Sequence, residues 1–225
     1  MQINRKTRDA MSKFKAVLFD FDGTIMNTNN VILNSWRHTF KTKLGVEPDP
    51  QEIYKTFGEV LKDTMKKFFP DEDQDEMIDI YRSYQKDIFT EAIEIFPGMQ
   101  EVILKLHEAG IKVAIVTSRY LNSTVEGLKK YGIDEVFDAM VSAEDTEIHK
   151  PLPEPCLICL KKLGIEAKDA VMVGDSKYDI LCARNAGVES ALVSWTISVS
   201  EEERKELVPE YYIEKAEDLL DVVLG

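Results

Sequence analysis

The second half of the chain repeats one phrase. An amphipathic helical pattern ends in Gly, an apolar residue follows, and a short apolar run comes soon after. The phrase occurs at Leu106–Gly110-Ile111 before Val113–Val116 and at Leu128–Gly132-Ile133 before Phe137–Val141. It returns at Leu160–Gly164-Ile165 before Ala170–Val173 and at Ala183–Gly187-Val188 before Ala191–Val193. Gly just past a helix end enters the left-handed region without strain, and the apolar residue after it packs back on the last turn. The apolar runs do not alternate, which predicts strands buried on both faces. Helix and strand alternate, so the fold class is α/β: a Rossmann-like parallel sheet covered by helices.

Upstream, Ala16–Phe19 reads as a further buried strand, followed by a long interval with helical rather than strand patterning. Its apolar positions fall at Val31, Ile32, Trp36 and Phe40, at Ile53, Phe57, Val60 and Leu61, and at Met77, Ile78, Tyr81 and Tyr84. This predicts an α-helical cap domain over residues 28–96, inserted into a core made of 1–27 and 97–225. The acidic run Asp71-Glu72-Asp73 with Asp75-Glu76 reads as a solvated loop and helix start. Tyr211–Ile213 and Ala216–Leu224 read as an edge strand and a closing helix.

Composition narrows the classes. A chain of 225 residues, 44% apolar, can bury a real core. A net charge of −13 and a pI near 4.8 argue against general nucleic-acid binding, and mean that an anionic ligand needs a local cation. No apolar stretch approaches the roughly 20 residues that span a bilayer. Residues 1–10 are polar and basic, and read as a disordered leader before Met11. Three cysteines make no disulfide framework. The expectation is a soluble, reduced, cytoplasmic protein.

The chemistry falls at predicted strand ends, where open α/β sheets bind ligands. Ala16–Phe19 runs into Asp20-Phe21-Asp22-Gly23-Thr24. Residues i and i+2 of a strand point the same way, so both carboxylates can face one site. Val113–Val116 ends at Thr117-Ser118, and Ala170–Val173 ends at Gly174-Asp175-Ser176 with Asp179 beyond. Lys150 lies in the loop His149-Lys150-Pro151 after Phe137–Val141. Each piece has a plain reading alone: an Asp-Gly turn, a helix N-cap, a loop lysine. Together they suit phosphoryl transfer, with acids holding Mg²⁺ and the hydroxyl and lysine neutralising phosphoryl oxygens.

These four motifs resemble the haloacid dehalogenase-like hydrolases, mostly phosphatases, over residues 14 to about 195. The 32 residues between Thr117 and Lys150 leave no room for a second cap. The resemblance implies that Asp20 attacks phosphorus to form an aspartyl-phosphate, and that Asp22 serves as acid and then base, helped to hold a proton by nearby negative charge. It implies Mg²⁺ between Asp20, the Asp22 carbonyl and Asp175, with Asp179 assisting. Thr117 and Lys150 would hold phosphoryl oxygens with backbone N–H groups after Asp20, at Gly23 and Thr24. Ser118, Arg119, Phe57 and Gly58 would line the substrate side. The partner would be a small phosphorylated metabolite or pyrophosphate, met by a monomer or homodimer.

The family pattern usually carries Asp where this chain has Asn27. Together with Ser194-Trp195-Thr196-Ile197, Asn27 leans toward the bacterial pyrophosphatase branch of the phosphoglycolate phosphatase group. Asp22 argues against dehalogenation. A phosphonatase would need a cap lysine such as Lys55, Lys62, Lys66 or Lys67, which read better as solvated. A sugar phosphomutase like β-phosphoglucomutase shares every core motif and stays open. A non-enzymatic phosphate sensor would lack a catalytic group, and none is missing. Cys156 and Cys159 read as helix packing rather than redox chemistry, and His38, His107 and His149 show no metal-ligand spacing. Trp195 reads as core or oligomer packing, and Arg119 as covering the sheet edge or touching phosphate.

Overall fold

The computed structural model describes residues 12–225; the leader read at 1–10 lies outside them. In chain order the elements are β1 (Ala16–Phe19), β2 (Met26–Asn27), α1 (Asn29–Leu44), α2 (Pro50–Tyr54), α3 (Leu61–Phe68), α4 (Gln74–Ala92), β3 (Glu94–Ile95) and α5 (Met99–Glu108). Then come β4 (Lys112–Val116), α6 (Leu121–Lys130), β5 (Ala139–Val141), α7 (Glu154–Leu163), β6 (Ala170–Gly174), α8 (Lys177–Ala186), β7 (Glu189–Val193), α9 (Glu201–Leu207), β8 (Tyr211–Ile213) and α10 (Asp218–Leu224).

Six strands form one parallel sheet in the order β5-β4-β1-β6-β7-β8. The chain winds outward from β1 through β4 to β5, then returns to β6 on the other side of β1. The winding reverses beside β1, and its carboxyl end opens on the crevice where such sheets bind ligands. The apolar runs fail to alternate because both faces are covered. Val17, Phe19, Val113, Ile115, Val171 and Val173 pack with α5 and α10. Ala16, Leu18, Ala114, Val116, Ala170 and Met172 pack with α7 and α8. Burying one of the large side chains contributes about 1.5–3 kcal/mol. The four helix ends share one bond: Ile111, Ile133, Ile165 and Val188 donate their N–H to Leu106, Leu128, Leu160 and Ala183 at 3.0, 3.2, 3.1 and 2.9 Å. That is the bond of a glycine-terminated helix whose following apolar residue folds back.

Helices α1–α4 lie between β2 and β3 and share a core of their own around Trp36, Ile53, Phe57, Met65 and Met77. At their base, Val31, Phe89 and Ile93 join the main core. Asp73 caps α4 by accepting from the N–H of Asp75 and Glu76 at 3.0 and 2.9 Å. Two features differ from the sequence reading. β2 and β3 pair antiparallel, Met26 with Ile95 and Asn27 with Glu94, in a ribbon too short to show any period. The pattern through Ile53, Phe57, Val60 and Leu61 is not one helix: α2 stops at Tyr54 and α3 starts at Leu61, with Gly58 at φ +88° between them. Among the described residues no helix is long and apolar enough to cross a membrane.

Candidate active site

The sheet itself aims the first site residues. Asp20 follows β1, yet its N–H still continues the ladder to the Val173 carbonyl at 2.9 Å. Thr117 follows β4 and likewise donates to the Val141 carbonyl at 2.9 Å. Both are therefore held by strand geometry although neither lies within a strand. Lys150 reaches in from the loop before α7 and is buried. Its ammonium donates to Asp20 Oδ1 at 2.8 Å, Asp179 Oδ1 at 2.6 Å and the Val116 carbonyl at 3.2 Å. An ammonium carries three donors, so all three are used. Asp179 Oδ2 accepts from the N–H and hydroxyl of Ser176 at 3.0 and 2.6 Å, capping α8.

Three carboxylates meet here. Oxygens of Asp20, Asp175 and Asp179 lie within 4.8 Å of one another, all buried. Burial pushes the Asp20 carboxyl up to about 7 against the pull of the Lys150 ammonium, with Asp179 and Asp22 adding to the rise. Burial likewise drives Asp175 well above the usual carboxylate range. Burial disfavours the charged Lys150 as well, but Asp179 and Asp20 outweigh it and hold the ammonium above the ordinary lysine value. One ammonium faces three buried acids, so the cluster lacks positive charge. A hard divalent cation with oxygen ligands fits that donor set. The turn after Asp20 closes against it: Gly23 sits at φ +76°, and a Cβ there would lie 2.4 Å from Asp175 Oδ2. Residues 195–198 tie the two loops together. The Trp195 indole donates to the Gly23 carbonyl at 3.1 Å, and the Ser198 hydroxyl donates to the Asp175 carbonyl at 2.8 Å.

Above this floor, Asp22 is half-buried and gripped by Arg119. Nε reaches Oδ1 and Oδ2 at 3.1 and 3.0 Å, and an outer guanidinium nitrogen reaches Oδ1 at 3.0 Å. The turn between α2 and α3 seats on the core loops. Ser118 donates its hydroxyl to the Gly58 carbonyl at 2.9 Å, and Tyr178 donates to the Glu59 carboxylate. A Cβ on Gly58 would meet Ser176 Oγ at 2.5 Å. Arg82 of α4 stacks over the Tyr120 ring, 3.5 Å from its centre. The helical insert and the core thus border a half-open cavity of about 440 Å³, with Asp20 at its base and Asp22 above it.

The model of the haloacid dehalogenase-like hydrolases matches residues 17–193. The chain belongs to this family. Relatives 35–41% identical carry the name PpaX. One, from Caldanaerobacter subterraneus subsp. tengcongensis, is 41% identical over 213 residues, covering 95% of this chain and 96% of its own. Another, a pyrophosphatase from Halalkalibacterium halodurans, is 37% identical over 211 residues, covering 94% and 97%. Among solved structures, a haloacid dehalogenase-like family protein from Streptococcus pneumoniae superposes with a TM-score of 0.81 at 24% identity, covering 93% of this chain and 98% of its own. A β-phosphoglucomutase from Clostridium difficile gives 0.77 at 20% identity, covering 92% and 93%. At that identity the two structures speak for the hydrolase family's fold alone.

Of the residues singled out from sequence, Asp20, Asp22, Thr117, Ser118, Arg119, Phe57 and Gly58 line the cavity, while Lys150, Asp175 and Asp179 pack beneath it. Gly23 and Thr24 do not line it. The Gly23 N–H is already spent on the Met26 carbonyl at 2.8 Å, because the turn is that tight, so it is not free to meet a phosphate. Thr24 is fully buried. Asp179 accepts from Lys150 and Ser176, so it orients the lysine while its carboxylate stays in the cluster with Asp20 and Asp175. Thr117 and Ser118 do not cap the following helix, whose N-cap is Tyr120. Arg119 does not merely cover the sheet edge, since it grips Asp22. Trp195 braces the Gly23 turn and stacks on Phe96, 5.4 Å between ring centres. Lys55, Lys62, Lys66 and Lys67 are exposed and do not line the cavity. Cys156 and Cys159 are buried in the core, as packing predicted, although Cys156 also meets Cys182 at 3.4 Å. Sequence reading missed Arg82, Gln85 and Lys86, which bring polar and cationic groups from α4 into the cavity. Their one signal is spacing: with Tyr81 and Phe89 they form a single face at helical intervals.

Proposed function

We propose that this phosphatase cleaves pyrophosphate, or a small phosphate ester of the phosphoglycolate kind, through an aspartyl-phosphate on Asp20. The observation that carries the reading is Asp20 itself. It sits at the sheet's switch point with one oxygen held by Lys150 at 2.8 Å and faces a cavity between the core and the helical insert. The names of the PpaX relatives favour pyrophosphate over the ester. Asp20 attacks phosphorus as the bond to the leaving oxygen breaks, and Asp22 gives that oxygen a proton. Water then attacks the phosphoryl group, returns a proton to Asp22, and frees Asp20. Thr117 and Lys150 orient the phosphoryl oxygens, and positioning and charge do most of the work. Asp20, Asp175 and the Asp22 carbonyl would hold Mg²⁺, which supplies positive charge to the transferring phosphoryl group. Helices α1–α4, residues 28–96, act as the cap that excludes water once substrate is in place. The reaction runs in the cytoplasm, where the three free thiols stay reduced.

Phosphate release with Mg²⁺ tests this, with pyrophosphate, phosphoglycolate and hexose phosphates side by side. Asp20→Asn is expected to reduce turnover by roughly 10⁴-fold or more, the scale for losing a nucleophile. Equal activity in that variant, or a preference for converting one hexose phosphate into another, sinks the reading.

A further inference from the structure

The Arg119 grip on Asp22 leaves spare capacity on both partners. A guanidinium has five N–H donors, and Asp22 takes only those of Nε and one outer nitrogen. The other outer nitrogen makes no hydrogen bond with the described residues, and Arg119 lines the cavity. Oδ1 of Asp22 accepts two of these bonds and Oδ2 one, so a lone pair of Oδ2 stays open toward a leaving oxygen. The guanidinium has little freedom to drift away. It lies over Phe89 of the helical insert at 4.6 Å and near Phe21 of the core at 5.8 Å. The floor lysine cannot serve in its place, because it lies buried beside Asp20, on the side of the transferring phosphoryl group. The other cations of the cavity, Arg82 and Lys86, project from α4 on the insert side.

We infer that Arg119 sets the substrate class: it docks an anionic group carried by the leaving half of the substrate while it keeps its hold on Asp22. This rests on the reading of Asp22 as the acid and base. The leaving group lies on the side of phosphorus opposite Asp20, next to Asp22, and hence next to Arg119. A second phosphate or a carboxylate there meets the unused N–H groups as a charge-assisted, two-pronged contact. A neutral leaving group offers those spare donors nothing. The site therefore favours phosphates whose leaving group is itself an anion. In a chain of net charge −13, such a local cation is what makes a doubly anionic ligand acceptable.

The test compares pyrophosphate, phosphoglycolate and phenyl phosphate on the unaltered enzyme, Arg119→Gln and Arg119→Lys at fixed free Mg²⁺. With Arg119→Gln, kcat/KM is expected to fall about 10- to 100-fold on the two anionic substrates, mostly through KM, the range for a lost hydrogen bond to a charged group. Phenyl phosphate reports the loss of the Asp22 grip alone, so its fall should be at least about 5-fold smaller than that on the anionic substrates, since it never engages the guanidinium's spare donors. Arg119→Lys should recover part of the anionic loss, because it keeps the charge without the fork. Loss on pyrophosphate but not phosphoglycolate assigns the contact to phosphate alone, and the converse to carboxylate; both keep the inference. Equal losses on all three substrates overturn it and leave Arg119 as a prop for Asp22. A calorimetric comparison needs no variant. Methylenediphosphonate should bind the Mg²⁺-loaded protein at least about 10-fold more tightly than methylphosphonate, and equal affinities overturn the inference. If no substrate is turned over, or Asp20→Asn changes nothing, the failure belongs to the phosphatase mechanism, and the calorimetry still decides the anion contact.

Discussion

The floor of the cavity and its mouth are built in different ways. On the floor, Asp20 and Thr117 are fixed by ladder bonds that run one residue past their strands. Lys150 and Asp179 saturate each other and their neighbours in full burial. At the mouth, Asp22 is half-buried, and the contacts cross between two packed units: Ser118 with Gly58, Tyr178 with Glu59, and Arg82 with Tyr120. The floor depends on covalent neighbours in a rigid sheet. The mouth depends on side-chain contacts between segments far apart in the chain. A reaction governed by positioning needs the first, and exchange of ligands needs the second.

The largest break in this contrast should come from Lys150→Met. Removing the ammonium leaves Asp20 and Asp179 facing each other in burial, and losing one partner of a buried pair costs about 3–5 kcal/mol. Urea unfolding should show it, and a loss below 1 kcal/mol would mean the floor is less dry than its burial implies. Gly58→Ala comes next. At φ +88°, with Ser176 Oγ 2.5 Å from the new Cβ, the alanine must shift the turn. A stability loss of about 1–2 kcal/mol is expected, together with a raised KM and little change in kcat. A change confined to kcat would place the turn with the floor instead.

The smallest effect concerns Glu59. Burial raises its carboxyl, but bonds from Lys67, Tyr178 and Thr64 outweigh burial and hold it below the ordinary 4.5. A carboxyl lowered in the folded state stabilises above its unfolded value, and that contribution fades as pH falls through the folded one. The unaltered protein should therefore exceed Glu59→Gln in stability at pH 7 by under about 1 kcal/mol, because the Lys67 side is exposed. The gap should close below pH 4. A gap that widens on acidification would show that Glu59 does not latch the turn.

The sheet was legible from sequence because its causes are local. Four of the six strands are short apolar runs that follow a helix ending in a glycine and an apolar residue, with one recurring bond. The site's members were legible for the same reason, since parallel strands bring their carboxyl ends to one edge whatever lies between them. The two-residue ribbon at the base of the insert was not legible, because two residues carry no period. Nor could any pattern pair Asp22 with Arg119, 97 positions away, or Ser118 with Gly58, 60 positions away. The sequence by itself therefore determined which groups stand at the strand ends. Only the tertiary structure decided how they are spent: Asp179 on the lysine, Trp195 on the Gly23 turn, and Arg119 on Asp22. Those choices follow from packing between distant segments, which no local spacing encodes.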